Sequence, residues 1–241
     1  KYTAYQTLAR EASKPDATPQ LKSFWENLNE LSETQAGGSM YTVYIGTMKD
    51  GTQKAVKVLV PNAISFIREN TESARKVAEG LLETKNYGNS DGVKLASVLI
   101  DDLENWLIED IRATNYEQDD LEFTKLNGGF SNEEGAEIQI PAMTPTGTMF
   151  IKIEDWKEGE NLSRVLQAPP NTDLQRSVRL IRDDFYRQLE TPTENGTALV
   201  HSDVHMGNVR IAQQGDGSLN VYWLDRGYFL HFNQDEIGVL S

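Results

Sequence analysis

One charged residue inside an otherwise apolar strand constrains what this chain can fold into. The segment Ala55-Val56-Lys57-Val58-Leu59-Val60 follows a turn at Lys49-Asp50-Gly51, and residues 40–44 before the turn have the period of a strand. This pattern predicts a β-hairpin whose second strand places Lys57 between apolar neighbours. A lysine buried there without a counter-charge costs several kcal/mol, because burial disfavours its charged form. The fold must therefore bring a carboxylate to Lys57.

Helical periods on both sides of this hairpin indicate an α+β chain. Two helices are predicted before it, broken at residues 13–16, and the second carries apolar residues at helical spacing: Leu21, Phe24, Trp25, Leu28 and Leu31. Helices are predicted after it over residues 64–85, 95–107, 117–126 and 173–189. Short strands are predicted over residues 137–140, 148–153, 198–200, 209–212 and 219–224. Asn161 is a predicted helix N-cap.

This order of strands and helices predicts two lobes. We expect an N-terminal helical extension over residues 1–34, a small lobe with inserted helices over residues 35–154, and a larger lobe over residues 155–241. Only 14 residues follow Gly227, so we expect either that the larger lobe is truncated or that its fold is minimal.

Composition excludes several classes of protein. The 241 residues include 23 Lys and Arg against 37 Asp and Glu, so the net charge is −14, and an acidic surface repels the phosphate backbone of nucleic acids. No apolar run approaches the ~18–20 residues that a membrane-spanning helix requires. The chain has no cysteine, which excludes disulfide bonds and thiolate-based zinc or catalytic sites. We therefore expect no nucleic-acid partner and no transmembrane segment.

A glycine-containing segment ahead of the hairpin is a candidate phosphate-binding loop. Its residues are Ala36, Gly37, Gly38, Ser39 and Met40. Glycines let backbone amides approach phosphate oxygens, and Lys57 on a neighbouring strand can neutralise their charge. Gly-Gly-Ser is also a common turn, so this segment is not specific by itself.

The octet from His201 to Asn208 (His-Ser-Asp-Val-His-Met-Gly-Asn) lies between two predicted short strands. Asp203, five residues before Asn208, fits a general base followed by a metal-ligating amide in phosphoryl transfer. The other interpretation is a polar turn with incidental histidines. It would be favoured if only His201 or Asp203 were present, and the complete octet argues against it. We predict Asp203 as the catalytic base and Asn208 as a metal ligand.

A third segment, Trp223-Leu224-Asp225-Arg226-Gly227, follows the last of these predicted strands. A carboxylate at a strand end can hold Mg²⁺ between phosphate oxygens, because hard cations select oxygen ligands. Asp225 lies 22 positions after Asp203, beyond one predicted hairpin, where the partner of a catalytic loop is expected. We predict Asp225 as the second metal ligand.

These segments together resemble the UbiB/AarF family of atypical kinases, which have a protein-kinase-like fold. Residues 36–62 are similar to the nucleotide loop and lysine strand of that family, residues 201–208 to its His-x-Asp-x-His-x-Gly-Asn motif, and residues 225–227 to its Asp-Phe-Gly. Asn115-Tyr116-Glu117-Gln118-Asp119 resembles its Asp-Tyr-x-x-Glu segment. The resemblance implies that Asp119 is the carboxylate partner of Lys57 and acts with it in catalysis.

The resemblance also implies a bilobal kinase or ATPase with ATP (or ADP) between the lobes. Mg²⁺ is then held by Asn208 and Asp225, and the adenine lies against the backbone from Glu154 through Trp156 to Lys157. The phosphoryl acceptor implied is water, a lipid precursor or a protein, with a link to isoprenoid quinone or lipid metabolism. The protein is expected inside the cell, in the cytoplasm or an organelle, with peripheral membrane association.

Several departures from the family pattern have consequences. The acidic pair of the family falls on Ala113 and Asn115 or, in a register with an insertion, on Glu109 or Asp110. Arg226 replaces a phenylalanine that packs between the lobes and adds a charge near the metal site.

Two other functions compete with the UbiB-type enzyme. One is a small-molecule phosphotransferase of the aminoglycoside or choline kinase type, against which the lysine strand and the inserted helices argue. The other is a catalytically silent nucleotide-binding scaffold, which Arg226 and the missing acidic pair favour. The argument against it is the presence of all four expected site residues: Lys57, Asp203, Asn208 and Asp225. Within the octet, His205 is expected to hydrogen-bond the backbone of the Asp-x-Gly turn.

Overall fold

The computed structural model describes residues 2–37, 40–84, 91–112, 116–133, 135–167, 172–201, 204–226 and 229–233. The helices are α1 (Tyr2–Ala12), α2 (Pro19–Asn27), α3 (Ala63–Leu82), α4 (Asp91–Arg112), α5 (Tyr116–Asn127), α6 (Leu162–Val165) and α7 (Thr172–Glu190). The strands are β1 (Leu28–Gly37), β2 (Tyr41–Met48), β3 (Gln53–Leu59), β4 (Ala136–Gln139), β5 (Met143–Thr144), β6 (Ile151–Asp155), β7 (Glu160–Asn161), β8 (Ala198–His201), β9 (Val209–Gln213), β10 (Leu219–Trp223) and β11 (Phe229–Phe232).

An antiparallel sheet in the order β1-β2-β3-β6-β5 carries the predicted hairpin. Its tight turn is closed by Asp50, whose carboxylate accepts from the amide of Thr52 at 2.9 Å. Helices α1 and α2 cover one face of the sheet and share a core with Val56 and Val58 of β3. Because side chains alternate along a strand, Lys57 points to the opposite face, towards the rest of the chain.

The prediction that the second N-terminal helix extends to Leu31 is wrong. Helix α2 ends at Asn27, and Leu28 already has extended backbone dihedrals and pairs with Met48 of β2. Leu31 is fully buried in the same core as α2. The apolar spacing between Leu28 and Leu31 therefore reflects burial in the core with α1 and α2. The backbone of these residues is extended because it pairs with β2.

Helices α3, α4 and α5 are inserted between the two sheets, close to where the sequence predicts helices. Helices α3 and α4 pack against each other, with Ile67 and Ile108 buried between them. Glu104 of α4 accepts hydrogen bonds from Thr71 at 2.8 Å and from Arg75 at 3.2 Å. Within the described ranges, no helix is long and apolar enough to cross a bilayer.

A second sheet, in the order β4-β10-β9-β7, packs against α7, and β8 pairs with β11 beside it. The core of this part includes Ile138, Leu180, Val221 and Trp223. Strand β4 precedes the predicted lobe boundary at residues 154/155 and yet pairs in parallel with β10 beyond it. The division of the chain into residues 1–34, 35–154 and 155–241 stays a prediction, and the strand pairings cross it.

Candidate active site

Lys57 is buried between two carboxylates. Its Nζ lies 2.9 Å from Oε1 of Glu154 and 3.0 Å from Oδ1 of Asp225. Strands β3 and β6 pair so that Ala55 faces Glu154, which places Glu154 on the same sheet face as Lys57. Burial alone would lower the pKa of Lys57, but the two carboxylates outweigh burial and raise that pKa above its usual value. Lys57 is therefore a permanent cation in the site.

Asp225 is the second residue after the end of β10. Its side chain is 49% exposed, and the charge of Lys57 holds the pKa of Asp225 below its usual value although burial opposes this. Its backbone is left-handed, with φ at 52°. The preceding residue, Leu224, donates its amide to the Asn208 carbonyl at 2.8 Å, and its carbonyl oxygen lies 3.1 Å from Nε2 of His201. The first and last residues of the octet, His201 and Asn208, thus hold the two backbone polar groups of Leu224, the residue before Asp225.

His201 contacts the backbone just before Asp225, while the contact expected of His205 stays a prediction. His201 is buried at the end of β8, with its ring among those of Phe123, Trp223 and Phe229. The exposed His205 accepts a hydrogen bond at Nδ1 from the amide of Gly207, 2.9 Å away, within its own turn. His201 ends a strand beside Leu224, which explains why its ring reaches the carbonyl of that residue.

The prediction that Asp119 pairs with Lys57 is also wrong. Oδ2 of Asp119 lies 3.2 Å from Nε2 of His231, and the carboxylates beside Lys57 are those of Glu154 and Asp225. Successive residues of a helix point about 100° apart, so in α5 Asp120 faces inward where Asp119 does not. The strand partner Glu154 takes the position that the resemblance implies for Asp119.

Arg226 is fully buried beside this cluster. Its Nε donates to Oδ1 of Asp120 at 2.6 Å, its Nη1 to the carbonyl of Trp223 at 2.8 Å, and its Nη2 to the carbonyl of Pro141 at 2.8 Å. Burial raises the pKa of Asp120, and the Arg226 guanidinium offsets only part of that rise. The extra charge that the sequence places near the metal site is therefore neutralised by Asp120.

The segment predicted to contact adenine has its own internal contacts. The carboxylate of Glu154 forms an ion pair with Lys57. The guanidinium of Arg210 lies 4.3 Å from the ring centre of Trp156. Arg210 also donates to the Lys157 carbonyl at 2.7 Å. The amide of Asp155 donates to the carbonyl of Ala142, and the amide of Trp156 donates to the carbonyl of Gln53 in β3. Nucleotide binding by Glu154 and Trp156 stays a prediction.

The candidate phosphate loop is described only in part. Ala36 and Gly37 form the end of β1, and the Met40 carbonyl accepts from the amide of Val60 at 2.9 Å. The predicted site residues Gly38, Ser39 and Asp203 lie outside the described residues.

Comparison with known proteins decides the family. A sequence profile of the ABC1 atypical kinase-like domain matches residues 6–240. The chain belongs to this family. Its structure is similar to Rv3197 from Mycobacterium tuberculosis, solved as a complex with erythromycin, with a TM-score of 0.57 and 18% identity over 96% of this chain and 57% of Rv3197. The chain thus spans just over half the length of that protein.

A further likeness is to the Rio2 kinase of Chaetomium thermophilum, solved as an ADP/Mg²⁺-phosphoaspartate complex. The TM-score is 0.48 and the identity 10%, over 85% of this chain and 49% of that one. No curated protein sequence matches the chain. Membership of the ABC1 family confirms the predicted atypical-kinase resemblance and the α+β fold.

The donor set of this ABC1 domain fits Mg²⁺ and a phosphate group. Asp225 offers a half-exposed carboxylate, and a backbone hydrogen bond brings Asn208 next to Leu224, the residue before Asp225. Carboxylate and amide oxygens are ligands that Mg²⁺ accepts, with phosphate oxygens and water completing its shell. Lys57 supplies a fixed cation 3.0 Å from the same carboxylate.

Four residues of the site are absent from the sequence-based predictions in these roles: Glu154 as the partner of Lys57, and His201, Asp120 and Arg210. Each acts through contacts with residues distant in sequence, which a linear motif does not reveal.

The turn at residues 205–208 has a further anchor in Asn161, the predicted N-cap. Asn161 accepts from the amide of Ser163 at 3.0 Å and donates to the Gly207 carbonyl at 2.6 Å, so its N-cap prediction is confirmed.

Proposed function

We propose that this chain binds ATP or ADP with Mg²⁺ and transfers the terminal phosphoryl group, as an atypical kinase or ATPase of the UbiB type. One observation carries the proposal: Nζ of Lys57 and Oδ1 of Asp225 lie 3.0 Å apart although 168 positions separate them in the sequence. A permanent cation and an ionised carboxylate side by side are what a nucleotide with its metal requires.

Each residue has a defined task in this proposal. Lys57 donates hydrogen bonds to phosphate oxygens, while Glu154 keeps the ammonium group in position. Asp225 and Asn208 would hold the Mg²⁺, which would supply positive charge beside the phosphates. Asp203 orients the acceptor hydroxyl and accepts its proton. Positioning and charge neutralisation supply most of the rate enhancement, because phosphoryl transfer needs little covalent help from the protein.

The acceptor in this proposal is water, a lipid precursor or a protein. The resemblance to UbiB enzymes supports a role in isoprenoid quinone or lipid metabolism at a membrane surface. ADP release with and without lipid vesicles tests this part, since a lipid-linked acceptor requires that vesicles stimulate turnover.

Thermal unfolding and ADP release together test the proposed activity. ATP should raise the unfolding midpoint of the wild type more with Mg²⁺ than without it, and ADP should be released. Asp203→Asn should keep the thermal shift and lose ADP release. An unfolding midpoint that ATP leaves unchanged under both conditions contradicts the proposal.

The direct contact between Lys57 and Asp225 favours one second candidate, a nucleotide-binding scaffold without transfer. The ion pair with Lys57 occupies Oδ1 of Asp225 and so reduces the number of carboxylate oxygens available to a metal. Mg²⁺-dependent binding without ADP release in the wild type supports the scaffold. Stimulation of ADP release by an amino sugar or choline indicates a small-molecule kinase instead.

A further inference from the structure

The turn that carries Asp225 is held by a buried arginine that donates in three directions. Arg226 reaches Asp120 on α5, the Trp223 carbonyl at the end of β10, and the Pro141 carbonyl that follows β4. A guanidinium has five donors in a rigid fork, so three partners at 2.6–2.8 Å restrict both its position and its plane. An apolar side chain in this position could fill the space without fixing any of these groups.

The backbone beside Arg226 needs such support. Asp225 has φ at 52°, a left-handed conformation that residues other than glycine adopt at a cost. Conformations of this kind persist when surrounding contacts over-determine them. The hydrogen bond from Arg226 holds the carbonyl of Trp223, and His201 and Asn208 hold the carbonyl and amide of Leu224.

Arg226 and Lys57 both lie beside the carboxylate of Glu154. Nη1 of Arg226 lies 3.9 Å from Oε2 of Glu154, and Nζ of Lys57 lies 2.9 Å from Oε1 of the same residue. Asp120, Arg226, Glu154 and Lys57 therefore form a row of alternating charge with Asp225 at its end. Residues 225–226 and strand β3 are connected through this row.

We infer that Arg226 is a positioning residue for Mg²⁺ binding: its fixed guanidinium holds the turn so that the Asp225 carboxylate faces the site beside Lys57. The inference rests on the proposed function, since it concerns the same site. Arg226 does not touch the nucleotide or the metal. It acts through the backbone of residues 223–225 and through Asp120.

The test is the affinity for ADP, measured by isothermal titration calorimetry over a series of Mg²⁺ concentrations. Arg226→Lys keeps the charge next to Asp120 but cannot donate to two carbonyls in fixed directions. The double variant Asp120→Leu/Arg226→Met removes both charges together, so no buried carboxylate is left unpaired. Both variants should need about tenfold or more Mg²⁺ for half-maximal enhancement of ADP binding, the usual effect of removing an outer-shell partner. Their affinity for ADP without Mg²⁺ should stay near that of the wild type.

Arg176→Met is the matched control. Arg176 also pairs with an aspartate, Asp173, and donates to a backbone carbonyl, that of Gly217, but it lies on α7 away from the turn. Its substitution should lower the unfolding midpoint without changing the Mg²⁺ requirement. The unfolding midpoint of every variant is measured alongside the titrations.

The outcomes separate this inference from the proposed function. If the wild type binds ADP with no dependence on Mg²⁺, or binds no ADP, both are wrong. A second outcome concerns a wild type whose ADP binding depends on Mg²⁺. If both folded variants then keep the Mg²⁺ requirement of the wild type, or if Arg226→Lys alone keeps it, only the role of Arg226 is wrong. A raised requirement shared by Arg176→Met also overturns it, because general destabilisation then accounts for the effect.

Discussion

Nζ of Lys57 lies 2.9 Å from Oε1 of Glu154, on the neighbouring strand of the same sheet. The carboxylate that neutralises the buried lysine is thus supplied by strand β6 and not by helix α5, which carries Asp119. Two adjacent strands of one sheet move together, so this pairing does not depend on the position of the inserted helices.

Glu154→Gln should destabilise the protein by about 3 kcal/mol, because removing one partner of a buried ion pair leaves the other under-compensated. Asp225 remains beside Lys57, which keeps the loss at the lower end of the range for buried pairs. Asp119→Asn is the matched control and should cost less than about 1 kcal/mol, since its partner His231 is half exposed. Urea unfolding of the three proteins checks this, and equal losses contradict the assignment of Glu154.

Much of this arrangement follows from local sequence patterns. The alternation around Asp50 predicts the hairpin, and the flanking valines predict that Lys57 is buried. The identity of its partner does not follow, because a shift of one residue in strand register moves a side chain to the other face. Residues 148–153 are the predicted strand, while β6 continues to Asp155 and so includes Glu154.

A similar ambiguity affects the consecutive acids Asp119 and Asp120. Helix α5 carries no clear apolar stripe, so the sequence does not indicate its rotational phase or which aspartate faces inward. Arg226 decides this in the structure, because the buried guanidinium requires a carboxylate beside it.

Stability should fall with acid partly through Asp225. Its pKa is below the usual value in the folded protein, so its contribution is complete above the unfolded pKa of about 3.9 and is lost as the pH falls through the folded pKa. Asp225→Asn isolates this effect, because asparagine tolerates the left-handed backbone. The free energies of unfolding of the wild type and the variant should differ at neutral pH and converge below about pH 4. A difference that stays constant over the acid range contradicts the ion pair with Lys57.

The two histidines of the octet should respond very differently to substitution. His201→Phe keeps an aromatic ring in the cluster but leaves the carbonyl of Leu224 without its partner, and should cost about 1–3 kcal/mol. His205→Ala removes an exposed contact within a turn and should cost less than about 1 kcal/mol. Thermal or urea unfolding measures both, and a larger loss for His205 reverses the assignment.

Arg210 should contribute to the geometry of the predicted adenine-binding segment. Arg210→Ala removes a stacked cation from Trp156 and a hydrogen bond to Lys157, and should cost about 1–2 kcal/mol in stability. Arg210→Lys, which keeps the charge and loses the planar stack, should be intermediate. The affinity for ATP should be lowest in Arg210→Ala and intermediate in Arg210→Lys, with its dependence on Mg²⁺ unchanged. If both variants bind ATP as tightly as the wild type, the segment does not bind nucleotide.

The central claim is that Lys57 and Asp225 meet at a site for a nucleotide and its metal, and calorimetric titration of ATP with Mg²⁺ and with a chelator tests it most directly. Wild type should bind ATP more tightly with Mg²⁺, Asp225→Asn should lose that enhancement and keep residual binding, and Lys57→Met should weaken binding under both conditions. Mg²⁺-enhanced binding that survives unchanged in Asp225→Asn and Lys57→Met would contradict the claim.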